Sequence, residues 1–218
     1  MAFSDTQKRQ AFASAFKTFP TLETKRLILS EIMSEEAEEY HRQQRSALDI
    51  PNRPPWGFGL ETESADQARR FILFAYNAWQ KKQSLRFGVR LKPDFSGESR
   101  TDAGQPSLIG MVSIFDIQNQ YKAEIGYWLG AAYHGQGIMT EAVRAVDSHA
   151  FDTIGMGRLY AYTSGENMQS LAMLQKVGFV TEGVMRQHTM RDGKWDDSVI
   201  MGIIRDDLGK DDLRTNGK

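Results

Sequence analysis

Residues 124–141 limit the folding options of this chain more than any other stretch. They read Glu-Ile-Gly-Tyr-Trp-Leu-Gly, then Ala-Ala-Tyr, then His-Gly-Gln-Gly-Ile-Met-Thr-Glu. The first part is apolar and aromatic, the pattern of a strand. Glycines at 135 and 137 then let the backbone turn sharply. A helix follows, starting at or near Gln136. The first N–H groups of a helix have no acceptor inside it, and the dipole there favours anions. Strand, glycine elbow and helix N-terminus together form a phosphate-binding arrangement. Two nucleotide signatures fail on particular residues. The pattern G-x-G-x-x-G needs glycine at 140, where Thr140 stands, and no Gly-Lys-Ser/Thr closes a P-loop.

The 218 residues suffice for one domain with a real core. A formal net charge of −1 gives no general case for binding nucleic acid or a membrane surface. Cysteine is absent, so disulfides, thiol nucleophiles and cysteine metal sites are excluded. His41, His134, His149 and His188 show no ligand spacing, and no metal is expected. No apolar run approaches the roughly 20 residues of a membrane span. Residues 1–19 lack the continuous apolar segment of a secretory signal. A cytoplasmic protein is the expectation.

Residues 4–19 are expected to form a short helix with Phe12, Phe16 and Phe19 on one face, stopped by Pro20. It would pack on the domain or on a second subunit. Residues 26–32 read as the first strand. Ser34 is the expected N-cap of a helix to about Arg45, with Glu36, Glu38 and Glu39 in its early turns. Residues 51–59 hold three prolines and two glycines and make a loop. Its Trp56 and Phe58 either form a binding lip or tuck into the core.

Ser64 caps a helix through about Gln80, with Ala68, Phe71, Ile72, Ala75 and Trp79 inward. Residues 84–91 are a strand, 92–107 a long polar hairpin loop, and 108–115 a central strand apolar on both faces. Asn119 and Gln120 turn the chain into the strand before the elbow. The elbow helix runs to about Thr153, with Val143, Val146, Ala150 and Ile154 on one face and Gly155 and Gly157 at its end. Residues 158–163 form another strand. Asn167 then caps a helix that packs Leu171 and Leu174 inward and ends at Gly178. Residues 180–190 and 195–204 pair as a hairpin around Asp192-Gly193. The organisation is an extension (1–20), one domain (21–206) and a charged, mobile tail (207–218), with no internal repeat.

The run from His134 to Met139 resembles the Q/R-x-x-G-x-G/A motif of the GNAT N-acetyltransferases, with His134 and Met139 as departures. Gly135 to Ala142 looks like the RimJ/RimL-like branch, which acetylates ribosomal-protein N-termini. Residues 167–179 match that family's N-x-x-S-x-x-x-L-x-K-x-G-F almost completely, and residues 24–29 resemble its first strand. The resemblance covers residues 22–205. It implies an α/β (α+β) acyl-CoA N-acyltransferase fold, with a mixed, mostly antiparallel sheet of six to seven strands flanked by helices. It also implies acetyl-CoA as co-substrate, without a metal. Tyr127, Trp128, Leu129, His134, Gly135, Gln136, Gly137, Ile138, Met139, Thr140, Asn167 and Ser170 would hold it. With His134 and Met139 atypical, backbone amides are the expected phosphate ligands.

An amine attacking a thioester must be neutral, and an α-amine (pKa about 7.7–8.0) needs less help than lysine (about 10.4). Glu124, on the strand where many family members hold a catalytic glutamate, is the expected base, directly or through water. The alternative is a glutamate paired with a neighbouring cation. Alternation puts Glu124, Gly126 and Trp128 on one face and Ile125, Tyr127 and Leu129 on the other. A bulge at 127–129 would offer N–H groups to the thioester carbonyl. Leu174 stands where many relatives carry an acidic tyrosine. Ser170 is then the substitute acid, or else a helix serine bonding locally. His134 is read as cofactor-facing, and Tyr160 and Tyr162 as packing residues.

The resemblance therefore implies an acetyl-CoA-dependent N-acetyltransferase, monomeric or homodimeric, acting on the N-terminal α-amine of a protein, possibly ribosomal. Two alternatives are a small-molecule amine as acceptor and a non-catalytic acyl-CoA sensor.

Overall fold

The computed structural model describes residues 5–48, 62–96, 106–191 and 193–207. The loop with Trp56 and Phe58 and the tail beyond 207 lie outside these residues, as does most of the hairpin loop at 92–107.

Helix α1 (Asp5–Ala15) leads to a two-residue strand β1 (Leu22–Glu23) and then to β2 (Leu27–Ser30). Helices α2 (Ala37–Leu48) and α3 (Ala65–Gln80) precede β3 (Leu85–Leu91), the short α4 (Pro93–Ser96), β4 (Leu108–Gln118) and β5 (Lys122–Leu129). Next come α5 (Ile138–Ser148), β6 (Arg158–Ser164), α6 (Met168–Val177), β7 (Val180–Arg191) and β8 (Lys194–Ile204). The strands form one eight-stranded sheet ordered β1-β2-β3-β4-β5-β6-β8-β7. The expected sheet of six to seven strands gains an edge strand, because Leu22 and Glu23 pair with Leu29 and Ile28. Only β5 and β6 run parallel among these neighbours.

Each sheet face carries its own core. Leu27, Phe87, Val112, Ile125 and Leu159 pack on one face under α5, α6 and the Phe12/Phe16 side of α1. Met111 and Trp128 pack on the other with Tyr40 of α2 and Ile72 of α3. Phe12 and Phe16 are buried, with ring centroids 5.0 Å apart, so the N-terminal segment packs on the domain itself. The first seven residues of β4 are buried on both faces, as its apolar run requires.

Several end signals behave as their chemistry dictates. Ser64 Oγ accepts the Gln67 N–H, and Asn167 Oδ1 accepts the Ser170 N–H. Gly155 and Gly178 end their segments with φ of 85° and 113°. Ser34 does not cap α2. It begins a 3-10 turn, and the Met33 N–H is satisfied by the Glu36 carboxylate at 2.8 Å. Arg90 also binds Glu36, so tertiary contact overrides the local cap. The elbow helix starts two residues later than the spacing suggests, and a π-helical turn, His149–Ile154, ends it.

Asp147 on α5 is fully enclosed, with neither carboxyl oxygen hydrogen-bonded. Burial raises its pKa well above the ordinary value, so the folded state keeps the proton longer than the unfolded one. Stability then falls as pH rises from the unfolded value, by about 1.4 kcal/mol per pH unit until the folded group ionises. Asp147→Asn removes this loss. Chemical denaturation should find the variant more stable than the parent at pH 8, with the gap shrinking towards pH 4. A constant gap would contradict a buried neutral carboxyl.

Candidate active site

β5 and β6 pair only at Lys122–Arg158, Ala123–Leu159 and Glu124–Tyr160. Beyond that point β5 stays with β4 as far as Leu129, and β6 stays with β8 as far as Ser164. The two halves of the sheet therefore diverge after Glu124 and leave a cleft along residues 125–129. The Gly130 N–H donates to Ile109 O on β4 at 2.8 Å. By strand alternation the Trp128 N–H also faces β4, whereas those of Tyr127 and Leu129 face the cleft. No bulge frees them. The β4–β5 register is unbroken from Gly110–Leu129 to Phe115–Glu124, and its irregularity lies between Phe115 and Gln118. Divergence from β6, not a bulge, leaves these N–H groups without a neighbouring strand.

Gly137 is the N-cap of α5 with φ 70°, and Gly135 has φ 72°. A Cβ at Gly137 would meet only Arg26 at 3.7 Å, and one at Gly135 would meet nothing within 4 Å. Glycine is needed here for the left-handed backbone rather than for space. The first internal bond of the helix runs from the Glu141 N–H to Gly137 O, leaving the N–H groups of Ile138, Met139 and Thr140 without helix acceptors. The Ile138 side chain is buried in the core and Met139 packs against it, so both face the elbow with backbone.

The elbow is braced from β2. Arg26 Nη1 donates to Gln136 O at 2.9 Å, and its Nε lies 2.6 Å from Glu141 Oε2. Glu141 Oε1 accepts the Arg26 backbone N–H and the Thr24 hydroxyl. Partial burial pushes the Glu141 carboxyl up, but these bonds outweigh it and leave it below its ordinary value. Gln136 Nε2 donates to Ala132 O at 2.9 Å. His134 Nε2 lies 2.8 Å from Leu129 O, on the cleft edge of β5. The sequence reading missed the Arg26–Glu141 brace, because nothing local joins residues 115 positions apart.

Ser170 does not bond locally through its hydroxyl. Its Oγ lies 2.7 Å from the Tyr127 hydroxyl, which ties α6 to β5 across the cleft. Burial pushes the Tyr127 phenol up, although the bond with Ser170 opposes this. Leu174 is buried in the core.

Glu124 is 7 % exposed, and its Oε1 has no hydrogen-bond partner. Burial and then the nearby Asp116 charge push its carboxyl up to about 7. Asp116 accepts hydrogen bonds from the Tyr160 hydroxyl and Gln118 Nε2, both at 2.6 Å. Tyr160, read from the sequence as packing, thus orients a second carboxylate beside Glu124. Asp116 was missed; it sits at the β4 irregularity with a left-handed φ of 49°. The cation-paired alternative for Glu124 finds no ion pair among the described residues. No group of three or more His, Cys, Asp or Glu suited to a metal occurs among the described residues.

Cleft, glycine elbow and buried carboxylate stand together in this fold, and the chain belongs to the GNAT acetyltransferase family. A family model described as "Acetyltransferase (GNAT) domain" matches residues 26–180. A Bacillus subtilis (strain 168) protein named "Probable N-acetyltransferase YjcK" is 33% identical over 157 residues, spanning 68% of this chain and 87% of that protein. The "Ribosomal-protein-serine acetyltransferase" of Escherichia coli (strain K12) is 33% identical over 103 residues, 47% of this chain and 58% of that protein. Among solved structures, Mycobacterium smegmatis RimJ in complex with CoA-disulfide has the same fold. Its TM-score is 0.70 at 21% identity, covering 88% of each chain. The chain is thus an N-acetyltransferase.

Proposed function

We propose that this chain transfers the acetyl group of acetyl-CoA to the N-terminal α-amine of a protein, with a ribosomal protein as the favoured acceptor. The observation that carries the reading is Glu124. It is a buried carboxylate without a hydrogen-bond partner on Oε1, poised near neutrality where β5 and β6 diverge. The E. coli relative acts on a ribosomal protein by its name, and the RimJ structure holds CoA-disulfide.

The residues present fit acetyl-CoA. The N–H groups of Ile138, Met139 and Thr140 at the elbow would take the pyrophosphate. The cleft-facing N–H groups of Tyr127 and Leu129 would take carbonyl oxygens of the pantetheine arm and thioester. The co-substrate brings an activated thioester, so the protein's task is orientation and one proton. The neutral amine adds to the acetyl carbon, and Glu124 takes the proton its nitrogen must then lose, directly or through water. As the C–S bond breaks, the thiolate leaves with the electron pair. Ser170, hydrogen-bonded to Tyr127, is the group on the α6 side of the cleft able to pass it a proton, and the proton taken up by Glu124 restores the serine hydroxyl through solvent. The demand on that acid is small, because a thiol pKa near 8.5 makes a tolerable leaving group.

The test follows free CoA on mixing the protein with acetyl-CoA and four acceptor sets: free-N-terminus peptides, N-blocked lysine peptides, polyamines and amino acids. Turnover on the first set is expected to exceed that on the second. Turnover confined to small amines would move the acceptor to that class. Calorimetric binding of acetyl-CoA without turnover on any set would make the chain a sensor.

A further inference from the structure

The sheet face that carries Glu124 continues across two more strands. Phe115 lies opposite Glu124, Ser113 opposite Gly126, and Arg86 opposite Ser113. Ser84, two residues before Arg86, shares that face. A cavity of about 330 Å³ opens here, with Phe74, Ser84, Arg86, Phe115 and Asp116 in its lining.

Arg86 is only 9 % exposed and stacks on aromatic rings, its Cζ 5.3 Å from Phe71, 5.9 Å from Phe74 and 5.3 Å from Phe115. Rings attract the guanidinium but accept none of its in-plane N–H bonds. Its Nε and Nη1 have no hydrogen-bond partner, and no carboxylate pairs with it among the described residues. Ser84 Oγ, in a residue 2 % exposed, is likewise without a partner. A buried cation without a counter-ion is costly, and its fork of donors matches a carboxylate. Asp116 lines the same cavity but is engaged by Tyr160 and Gln118 and adds its charge beside Glu124. The cavity lining is therefore positive at Arg86 and negative at Asp116, and Glu124 lies beyond it on the same sheet face, near Asp116.

We propose that Arg86 and Ser84 bind a carboxylate carried by the amine acceptor, so that the enzyme selects acceptors with an acidic group at a set distance from the reacting amine. This rests on the reading of Glu124 as the amine end. β3 and β5 are two strands apart, about 10 Å between backbones. A free α-amino acid holds its two charges on one carbon, too close to span this. An acidic side chain on the second residue of an extended peptide lies about 6–8 Å from the α-amine and fits. An ω-amino carboxylate of similar length offers the same chemistry from a small molecule.

The experiment pairs each acidic acceptor with its neutral twin: a serine-aspartate tetrapeptide with serine-asparagine, and 5-aminopentanoate with pentylamine. Both kcat/KM for CoA release and calorimetric affinity for the CoA-loaded protein are read. The acidic member of at least one pair is expected to be favoured tenfold or more. Arg86→Gln should abolish that preference and Arg86→Lys should keep part of it, with acetyl-CoA affinity and thermal unfolding checked for each. Preference within the peptide pair gives an N-terminal acidic motif as the source; preference within the amine pair alone gives a small acid. Equal kinetics and affinity within both pairs overturn the carboxylate site while leaving acetyl transfer intact. So does a preference that survives Arg86→Gln. Acidic acceptors that bind through Arg86 without turnover uphold the site and overturn the catalytic reading instead.

Discussion

Replacing Glu124 by glutamine is expected to lower kcat/KM about 10²- to 10⁴-fold with acetyl-CoA affinity unchanged, the usual worth of a positioned general base. The pH profile carries the stronger test. In the parent protein kcat/KM should rise with pH through about 7 as Glu124 ionises. It should rise again near 7.7–8.0 as a free α-amine loses its proton. The variant keeps only the second rise. A profile with both limbs intact in Glu124→Gln would remove this residue from the mechanism. Stability should move the opposite way. The folded carboxyl titrates near 7 and its ordinary value is 4.5, so the folded state binds the extra proton between them and stability drains as pH climbs through that window. Glutamine never pays this desolvation cost, and the variant should melt at a higher temperature than the parent at pH 8 and converge with it near pH 4.

Glu141→Ala is expected to give the largest structural loss. One carboxylate accepts from the Thr24 hydroxyl and from the Arg26 backbone and guanidinium, and Arg26 in turn holds Gln136 O at the elbow. Truncation leaves these donors half-satisfied in a part-buried site, at about 2–4 kcal/mol. That corresponds to a fall in Tm of roughly 5–15 °C for a chain of this size. With Arg26 released, the elbow amides lose their fixed direction, and affinity for CoA should drop about tenfold by calorimetry. The folded Glu141 carboxyl lies below its ordinary value, so its contribution is present above the unfolded pKa and lost as pH falls through the folded one. The parent and Glu141→Ala should therefore approach each other in strongly acidic buffer. Glu141→Gln retains the shape and some of the acceptors, and should fall between them. A variant that unfolds like the parent at pH 7 would show that the brace is ornamental.

Some parts of this protein were readable because their causes are local. A left-handed turn at Gly137, an asparagine cap at residue 167 and a glycine stop at 178 are set by a handful of neighbouring residues, and the structure holds each one. The alternation that separates Glu124 from Tyr127 is equally local, and the two cores bear it out. Ser34 shows the limit. Its composition is right for a cap, yet Arg90 draws Glu36 into place from a distant strand and the cap moves to Met33. The bulge at 127–129 that the sequence left open is absent for a similar reason. What frees the N–H groups is the loss of β6, which depends on residues some 35 positions away that no local pattern reports.

The sequence by itself determined the glycine elbow, the helix ends at Ser64, Asn167 and Gly178, the strand faces and the acidic residue on β5, because backbone conformation and side-chain alternation follow from near neighbours. Only the tertiary structure decided what those groups can do. Strand register brings Asp116, Tyr160 and Glu124 together, raises the Glu124 carboxyl towards neutrality and encloses Arg86 among three rings, with no carboxylate paired to it among the described residues. Desolvation and charge proximity arise when distant segments meet, and they set what the candidate groups can do chemically.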